Sequence, residues 1–109
     1  MVSAINADAY DPKSEDVFQV YLRAKSEADR ALRESGLDWT IVRPGGLTND
    51  DATGLVRIAN KVPRGNIPRV DVASVLLECL REPTSIGAQF ELVSGDTPIA
   101  KGIADFALL

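Results

Sequence analysis

The change of period between Glu15 and Val42 constrains this chain more than any other feature. From Glu15 to Ser35, Val17, Tyr21, Ala24, Ala28, Ala31 and Leu32 recur at helical spacing, with Arg23, Glu27, Arg30 and Glu34 on the other faces. That pattern specifies an amphipathic helix. Arg23–Glu27 and Arg30–Glu34 are opposite charges one turn apart, each adding about 0.2–0.5 kcal/mol. Gly36 is placed to be the left-handed residue that ends the helix. Directly afterwards Trp39-Thr40-Ile41-Val42 has the aromatic and β-branched character of a strand, stopped by Pro44-Gly45-Gly46. A helix feeding such a strand is a unit of an α/β sheet.

The rest of the chain extends the alternation. Met1 to Ile5 reads as a short strand and Asn6 to Ser14 as a polar loop with Pro12. Asn49-Asp50-Asp51 is loop. Leu55 to Ala59 is a short apolar run that periodicity leaves open between helix and strand; a strand paired loosely with Asn66-Ile67 across a Pro63-Arg64-Gly65 turn is favoured, giving a small hairpin. Asp71 is placed to cap a helix over Val72 to Arg81. Gln89 to Val93 reads as a strand, Ser94-Gly95-Asp96 as a turn, and Thr97-Pro98 as the cap and first position of a last helix ending near Ala107. The expected architecture is one α/β domain over residues 1–109: a partial Rossmann-like parallel sheet of about three main strands, a small hairpin and crossover helices. With the main strands side by side in chain order, right-handed crossovers put both connecting helices on one face. Val2, Ile41, Val42, Leu92 and Val93 would then be short of cover, because parallel sheets bury both faces.

Composition removes several classes of function. The 109 residues carry a net charge of -4 and no histidine. No basic stripe is present to neutralise phosphates, which argues against nucleic acid. Without histidine there is no Ser-His-Asp or Cys-His catalysis and no histidine-ligated metal. Asp50-Asp51 reads as a solvated loop, so no metal site is expected. No apolar run reaches membrane-spanning length, and the start lacks the signature of a secretory signal, so a soluble cytoplasmic protein is expected. The single cysteine, Cys79, lies in the Val72, Val75, Leu76, Leu80 stripe and reads as a structural thiol.

Tyr21 and Lys25 carry the candidate chemistry. At i and i+4 they project from one helix face, so an ammonium can sit beside a phenol. A neighbouring positive charge favours phenolate, which suits a tyrosine that exchanges a proton with a carbonyl or alcohol. The spacing alone is equally at home in a helix core, since Tyr21 lies on the apolar stripe and Lys25 on its border. On pattern alone that plainer reading weighs more. Arg43 could reach a phosphate or carboxylate, although an arginine at a strand end more often forms a surface pair. Arg69 stands between lining a pocket and pairing with Asp71.

The order of motifs adds to this. Met1-Val2-Ser3, then Tyr21-Leu22-Arg23-Ala24-Lys25-Ser26-Glu27-Ala28-Asp29, then Ser35-Gly36-Leu37-Asp38-Trp39-Thr40-Ile41-Val42-Arg43-Pro44-Gly45-Gly46-Leu47, then Ile67-Pro68-Arg69-Val70-Asp71-Val72-Ala73 resembles the short-chain dehydrogenase/reductase superfamily. Within it, the chain resembles the C-terminal half of the atypical NAD(P)-binding, epimerase-like and NmrA-like branch, from Met1 to about Ile99. The resemblance implies a doubly wound sheet with NAD or NADP across its strand ends. It implies Tyr21 as acid/base, Lys25 holding the nicotinamide ribose and tuning Tyr21, and Pro44, Gly45 and Gly46 presenting backbone to the nicotinamide. Ser3 is the candidate for the serine that orients a substrate carbonyl, with Ala4 where many relatives carry a second serine.

The family's glycine-rich phosphate turn, which sets pyrophosphate on a helix N-terminus, has no counterpart here. The expectation is therefore an oxidoreductase-like half-site without normal activity on its own. Another chain, or a second copy, is expected to cover the exposed sheet face and the Met1–Ile5 edge. A non-catalytic binding or oligomerisation module and a nicotinamide redox sensor remain the alternative readings.

Overall fold

The computed structural model describes residues 1–107. Helix α1 (Val17–Arg33) opens on Asp16, whose Oδ1 accepts the Phe18 amide at 2.9 Å. Gly36, at φ +79°, follows its end as the sequence requires. Strands β1 (Ile41–Pro44) and β2 (Gly46–Thr48) come next, then β3 (Leu55–Ala59), β4 (Asn66–Pro68), α2 (Arg69–Arg81), β5 (Gln89–Ser94), β6 (Thr97–Pro98) and α3 (Ile99–Ala107). The fold class is α/β, with a mixed main sheet ordered β1-β5-β3-β6 and a separate β2-β4 pair. β1 and β5 run parallel, as do β2 and β4, while β3 is antiparallel to β5 and β6. Met1–Ile5 lies along the outer edge of β1 through a parallel Val2–Val42 bridge and the Ser3 N–H···O Val42 bond of 2.7 Å.

The expected hairpin is not formed. Leu55–Ala59 is a strand, but its partner is β5, because there Val56 and Ile58 complete the apolar layer of Val42, Phe90 and Leu92. Asn66–Pro68 instead lies beside β2. Gly45 and Gly46 make this possible: a Cβ on Gly45 would stand 2.2 Å from the Gly65 carbonyl, which accepts the Gly46 amide at 3.0 Å. The glycines end β1 as expected and then let a second backbone press against it. Thr97-Pro98 forms β6 against Leu55 and Val56, leaving α3 to begin at Ile99.

Helix placement also departs from expectation. α2 and α3 pack together over the Val42, Phe90 and Leu92 face. α1 covers the opposite face, where Arg43 bonds Asp29 and Arg33 reaches the Gln89 side chain at 2.5 Å. The right-handed rule applies to simple parallel crossovers. The path from β1 to β5 first lays down antiparallel β3 beyond β5, so α2 returns from the far side. Both faces are consequently covered. Ile41, Val42, Leu92 and Val93 are all buried, and the expected shortage of cover does not exist there.

Asp71 sits in the first turn of α2 and does not cap it. Its carboxylate accepts the Gly54 amide at 2.9 Å and the Thr53 amide at 3.1 Å, fastening the loop before β3. Arg69 donates to the Asn49 side chain at 2.6 Å rather than to Asp71. Among the described residues no helix is long and apolar enough to cross a membrane, and no acidic or sulfur cluster could hold a metal.

Candidate functional site

The C-terminal ends of the Met1–Ile5 segment and β1 open into a cleft of about 340 Å³. Its walls come from Val2 to Ile5, from Phe18, Tyr21, Leu22 and Lys25 on α1, and from Pro44 to Leu47. In α/β sheets, strand C-terminal ends are where ligands are held. Every sequence-predicted site residue lines this one cleft: Ser3, Tyr21, Lys25, Pro44, Gly45 and Gly46. The helix brings Tyr21 and Lys25 to one side of it, and the glycine break after β1 closes the other.

Tyr21 is 46% exposed, so its phenol faces solvent and the cleft rather than the core. The Lys25 Nζ stands 5.6 Å from the Tyr21 ring centroid, within cation–π range. It also donates to the Val2 carbonyl at 3.3 Å. Phe18, at 6.3 Å between ring centroids, stacks beside Tyr21 at the mouth. The core reading of the Tyr–Lys spacing is thereby set aside, because α1 buries Leu22 and Asp29 instead.

The glycine side is tightly committed. Gly45 donates to the Leu92 carbonyl at 2.9 Å, Gly46 donates to Gly65, and the Pro44 carbonyl accepts from Ile5 at 3.0 Å. These backbone groups already have partners. What the segment offers a ligand is a close-packed surface with no side chain at Gly45 or Gly46.

Beneath the cleft lies a polar network that sequence reasoning missed. Asp29 is fully buried, and its Oδ2 accepts from the Ser3 hydroxyl at 2.6 Å, from Arg43 Nη2 at 2.8 Å and from Arg43 Nε at 3.1 Å. Asp29 Oδ1 has no partner. Arg43, only 4% exposed, is no surface pair; it also donates to both oxygens of Asp8. Hydrogen bonding from Arg43 holds the Asp8 carboxyl below its usual range, against a smaller opposing effect of burial. Burial works against the Arg43 cation, but the two carboxylates more than offset it and its pKa is raised. Ser3 thus lines the cleft with its hydroxyl turned into this network. The signal for it was Asp29 itself, a carboxylate seven residues after Leu22 on the same helix face.

A second depression of about 680 Å³ lies at the opposite, N-terminal end of the strands. It is lined by Met1, Leu32, Trp39, Leu76, Cys79 and Leu80 among others. Cys79 is half-buried there, and burial pushes its thiol pKa up, which disfavours the thiolate a nucleophile needs.

Comparison with known proteins shows what the chain is similar to. A family model described as NAD(P)H-binding matches residues 1–83. An uncharacterized sugar epimerase of Bacillus subtilis is 43% identical over 103 residues, covering 94% of this chain and 48% of that protein. The structure of a candidate NAD-dependent epimerase/dehydratase from Bacillus halodurans superposes with a TM-score of 0.87 at 40% identity, over 97% of this chain and 50% of that one. A short-chain dehydrogenase/reductase from Veillonella parvula, solved in complex with NADP, has a TM-score of 0.67 at 19% identity, over 89% of this chain and 50% of that one, and shows the shared fold alone. The chain spans about half the length of these relatives. A family match running across most of the chain, joined to a cleft at the strand ends, leads to one conclusion: the chain belongs to the NAD(P)H-binding family.

Proposed function

We propose that this chain carries the catalytic side of an NAD(P)-dependent oxidoreductase or epimerase-like site, and that alone it does not turn over. One observation carries the reading: Tyr21 and Lys25 converge on the same strand-end cleft as Pro44, Gly45 and Gly46. Tyr21 is the proton donor or acceptor for a carbonyl or alcohol. Lys25 holds the ribose side of the cofactor. Pro44, Gly45 and Gly46 form the wall of the cleft against which the nicotinamide would lie. When bound, a nicotinamide gives or takes the hydride that these side chains cannot supply.

Size and contacts support half a site. At about 340 Å³ the cleft is near the lower bound for small-molecule pockets. That matches the nicotinamide end of a dinucleotide and leaves the pyrophosphate without its helix N-terminus. The test is titration of NADH and NADPH into the purified chain, followed by cofactor fluorescence. Affinity no tighter than about millimolar is expected, about 4 kcal/mol of binding free energy. Micromolar binding with carbonyl reduction by the chain alone would refute the claim of inactivity. Should turnover be found in any assembled form of this fold, a rate unaffected by Tyr21→Phe would refute the assignment of Tyr21.

A further inference from the structure

Among the described side chains that line the strand-end cleft, Ser3, Tyr21 and Lys25 are the polar ones. Two of the three are already engaged. The Ser3 hydroxyl donates to Asp29 Oδ2 at 2.6 Å, and two Arg43 bonds on the same oxygen mark Asp29 as a carboxylate. A carboxylate only accepts, so the one Ser3 proton is spent there and not on a ligand oxygen. Lys25 donates to the Val2 carbonyl at 3.3 Å, lies over the Tyr21 ring, and is kept for the cofactor ribose on the reading above. The wall's backbone is committed in the same way: Ile5 donates to Pro44, Gly45 to Leu92 and Gly46 to Gly65. That leaves the Tyr21 phenol, 46% exposed, to answer an incoming oxygen.

The opening suits an apolar body instead. Phe18 is 60% exposed and Leu47 43%, one on α1 and one on β2, and both line the same cleft as Tyr21. The Phe18 and Tyr21 rings are inclined by only 24°, so two aromatic rings of similar tilt flank the opening. Single exposed apolar side chains are ordinary, but three gathered on one concave opening mark a ligand surface. We propose that the substrate of this site is a flat, largely apolar compound with a single carbonyl or hydroxyl, and not a sugar. The inference rests on the NAD(P)-site reading above and names its substrate class. The single oxygen meets Tyr21, and the apolar body lies against Phe18 and Leu47. A sugar carries a hydroxyl on nearly every carbon, and each one buried here without a partner lowers affinity by about tenfold. A sugar nucleotide adds a diphosphate, for which the lining supplies one ammonium, already the ribose ligand on this reading.

The test titrates two probes of similar size into the isotope-labelled chain and follows its amide resonances: a flat ketone, acetophenone, and a sugar, methyl xyloside. Acetophenone is expected to shift the amides of Ile5, Gly46 and Leu47 with a dissociation constant of about 1–10 mM, and methyl xyloside to bind at least about tenfold more weakly. Phe18→Ala and Leu47→Ser, both at exposed positions, should each weaken acetophenone by about threefold or more. Leu77→Ala, 49% exposed on α2 and outside the cleft, should not. Equal affinities for the two probes overturn the proposal, and so does a spectrum unmoved by acetophenone at about 20 mM. Shifts confined to Trp39 and Leu80, in the depression at the other end of the strands, overturn it too. So does a loss for Phe18→Ala no larger than that for Leu77→Ala. NADPH is then titrated alone and together with each probe. NADPH that moves none of the cleft amides removes the cofactor reading, and the two probes still decide the ligand class. NADPH that moves them while xyloside binds as well as acetophenone overturns the substrate class and leaves the cofactor reading standing.

Discussion

Asp29→Asn removes one charge from the centre of the buried network while keeping the side chain's shape. Oδ2 of Asp29 accepts three hydrogen bonds, two from the Arg43 guanidinium and one from Ser3. Without the carboxylate, Arg43 remains almost entirely buried with Asp8 as its sole anionic partner among the described residues, and Asp8 is itself 54% exposed. Breaking a buried pair in this way costs about 3–5 kcal/mol, because a charge is left without compensation. Asparagine still offers an acceptor, so the lower end, about 3 kcal/mol, is expected. Against a typical stability of about 5–15 kcal/mol that is a large share, and Tm should fall by about 12 °C or more. Urea denaturation followed by circular dichroism measures it. The double variant Asp29→Leu/Arg43→Met removes both charges and should recover at least about 1 kcal/mol relative to Asp29→Asn. A loss below about 1 kcal/mol for Asp29→Asn, or a double variant no better than that single one, would refute the argument that the pair is held by mutual compensation.

Gly45→Ala should cost about 2 kcal/mol or more, since the new Cβ would meet the Gly65 carbonyl at 2.2 Å and Val93 Cγ1 at 2.9 Å. Gly54→Ala, with nothing within 4 Å but φ +70°, should cost only about 1 kcal/mol; thermal melts separate the two. Asp71→Ala should cost about 2 kcal/mol by orphaning the Thr53 and Gly54 amides, and hydrogen exchange should show faster opening there than at β5. The Asp8 carboxyl is depressed in the folded state, so its contribution is complete above its unfolded pKa of about 3.9 and is lost as pH falls through the lower folded value. Asp8→Asn should flatten acid unfolding at and below about pH 4, and an unchanged profile would show that the Arg43 contact is not coupled to folding. Tyr21→Phe should leave stability within about 0.5 kcal/mol, because the phenol is exposed and accepts no bond from the core.

Local features were legible where local chemistry decides. The α1 helix, its glycine stop and a strand at Trp39–Val42, observed as Ile41–Pro44, follow from period and punctuation, whereas the gathering of Tyr21, Lys25 and Pro44–Gly46 was implied only by the family resemblance. Pairing was not legible, because it depends on contacts remote in sequence. Leu55–Ala59 has the same β-branched character whether it turns back on Asn66 or reaches β5, and the burial of Val56 beside Leu92 makes the choice. Asp71 looks like a cap because caps and loop anchors use the same carboxylate chemistry; the difference lies in Thr53, eighteen residues earlier. Arg43 looked like a surface cation because sequence spacing hides that Asp29 and Asp8 meet it from a helix and a loop. The apolar stripe of α1 was legible from its period, yet Val17, Val20 and Tyr21 are exposed, since hydrophobic period reveals that a face is apolar without revealing what it packs against.

That last distinction joins the site to the fold. α1 uses one face to hold Asp29 against Arg43 and another to present Tyr21 and Lys25. The buried network fixes the helix to β1 and to Ser3, so the rotation of α1 about its axis is set by groups beneath the cleft rather than by the stripe beside it. The positions from which Tyr21 and Lys25 enter the cleft are therefore fixed by groups this chain supplies, and a ligand that binds there does not have to order the helix first. The Lys25 side chain is held separately, by its bond to the Val2 carbonyl at 3.3 Å, so a ligand that recruits the ammonium must first replace that acceptor.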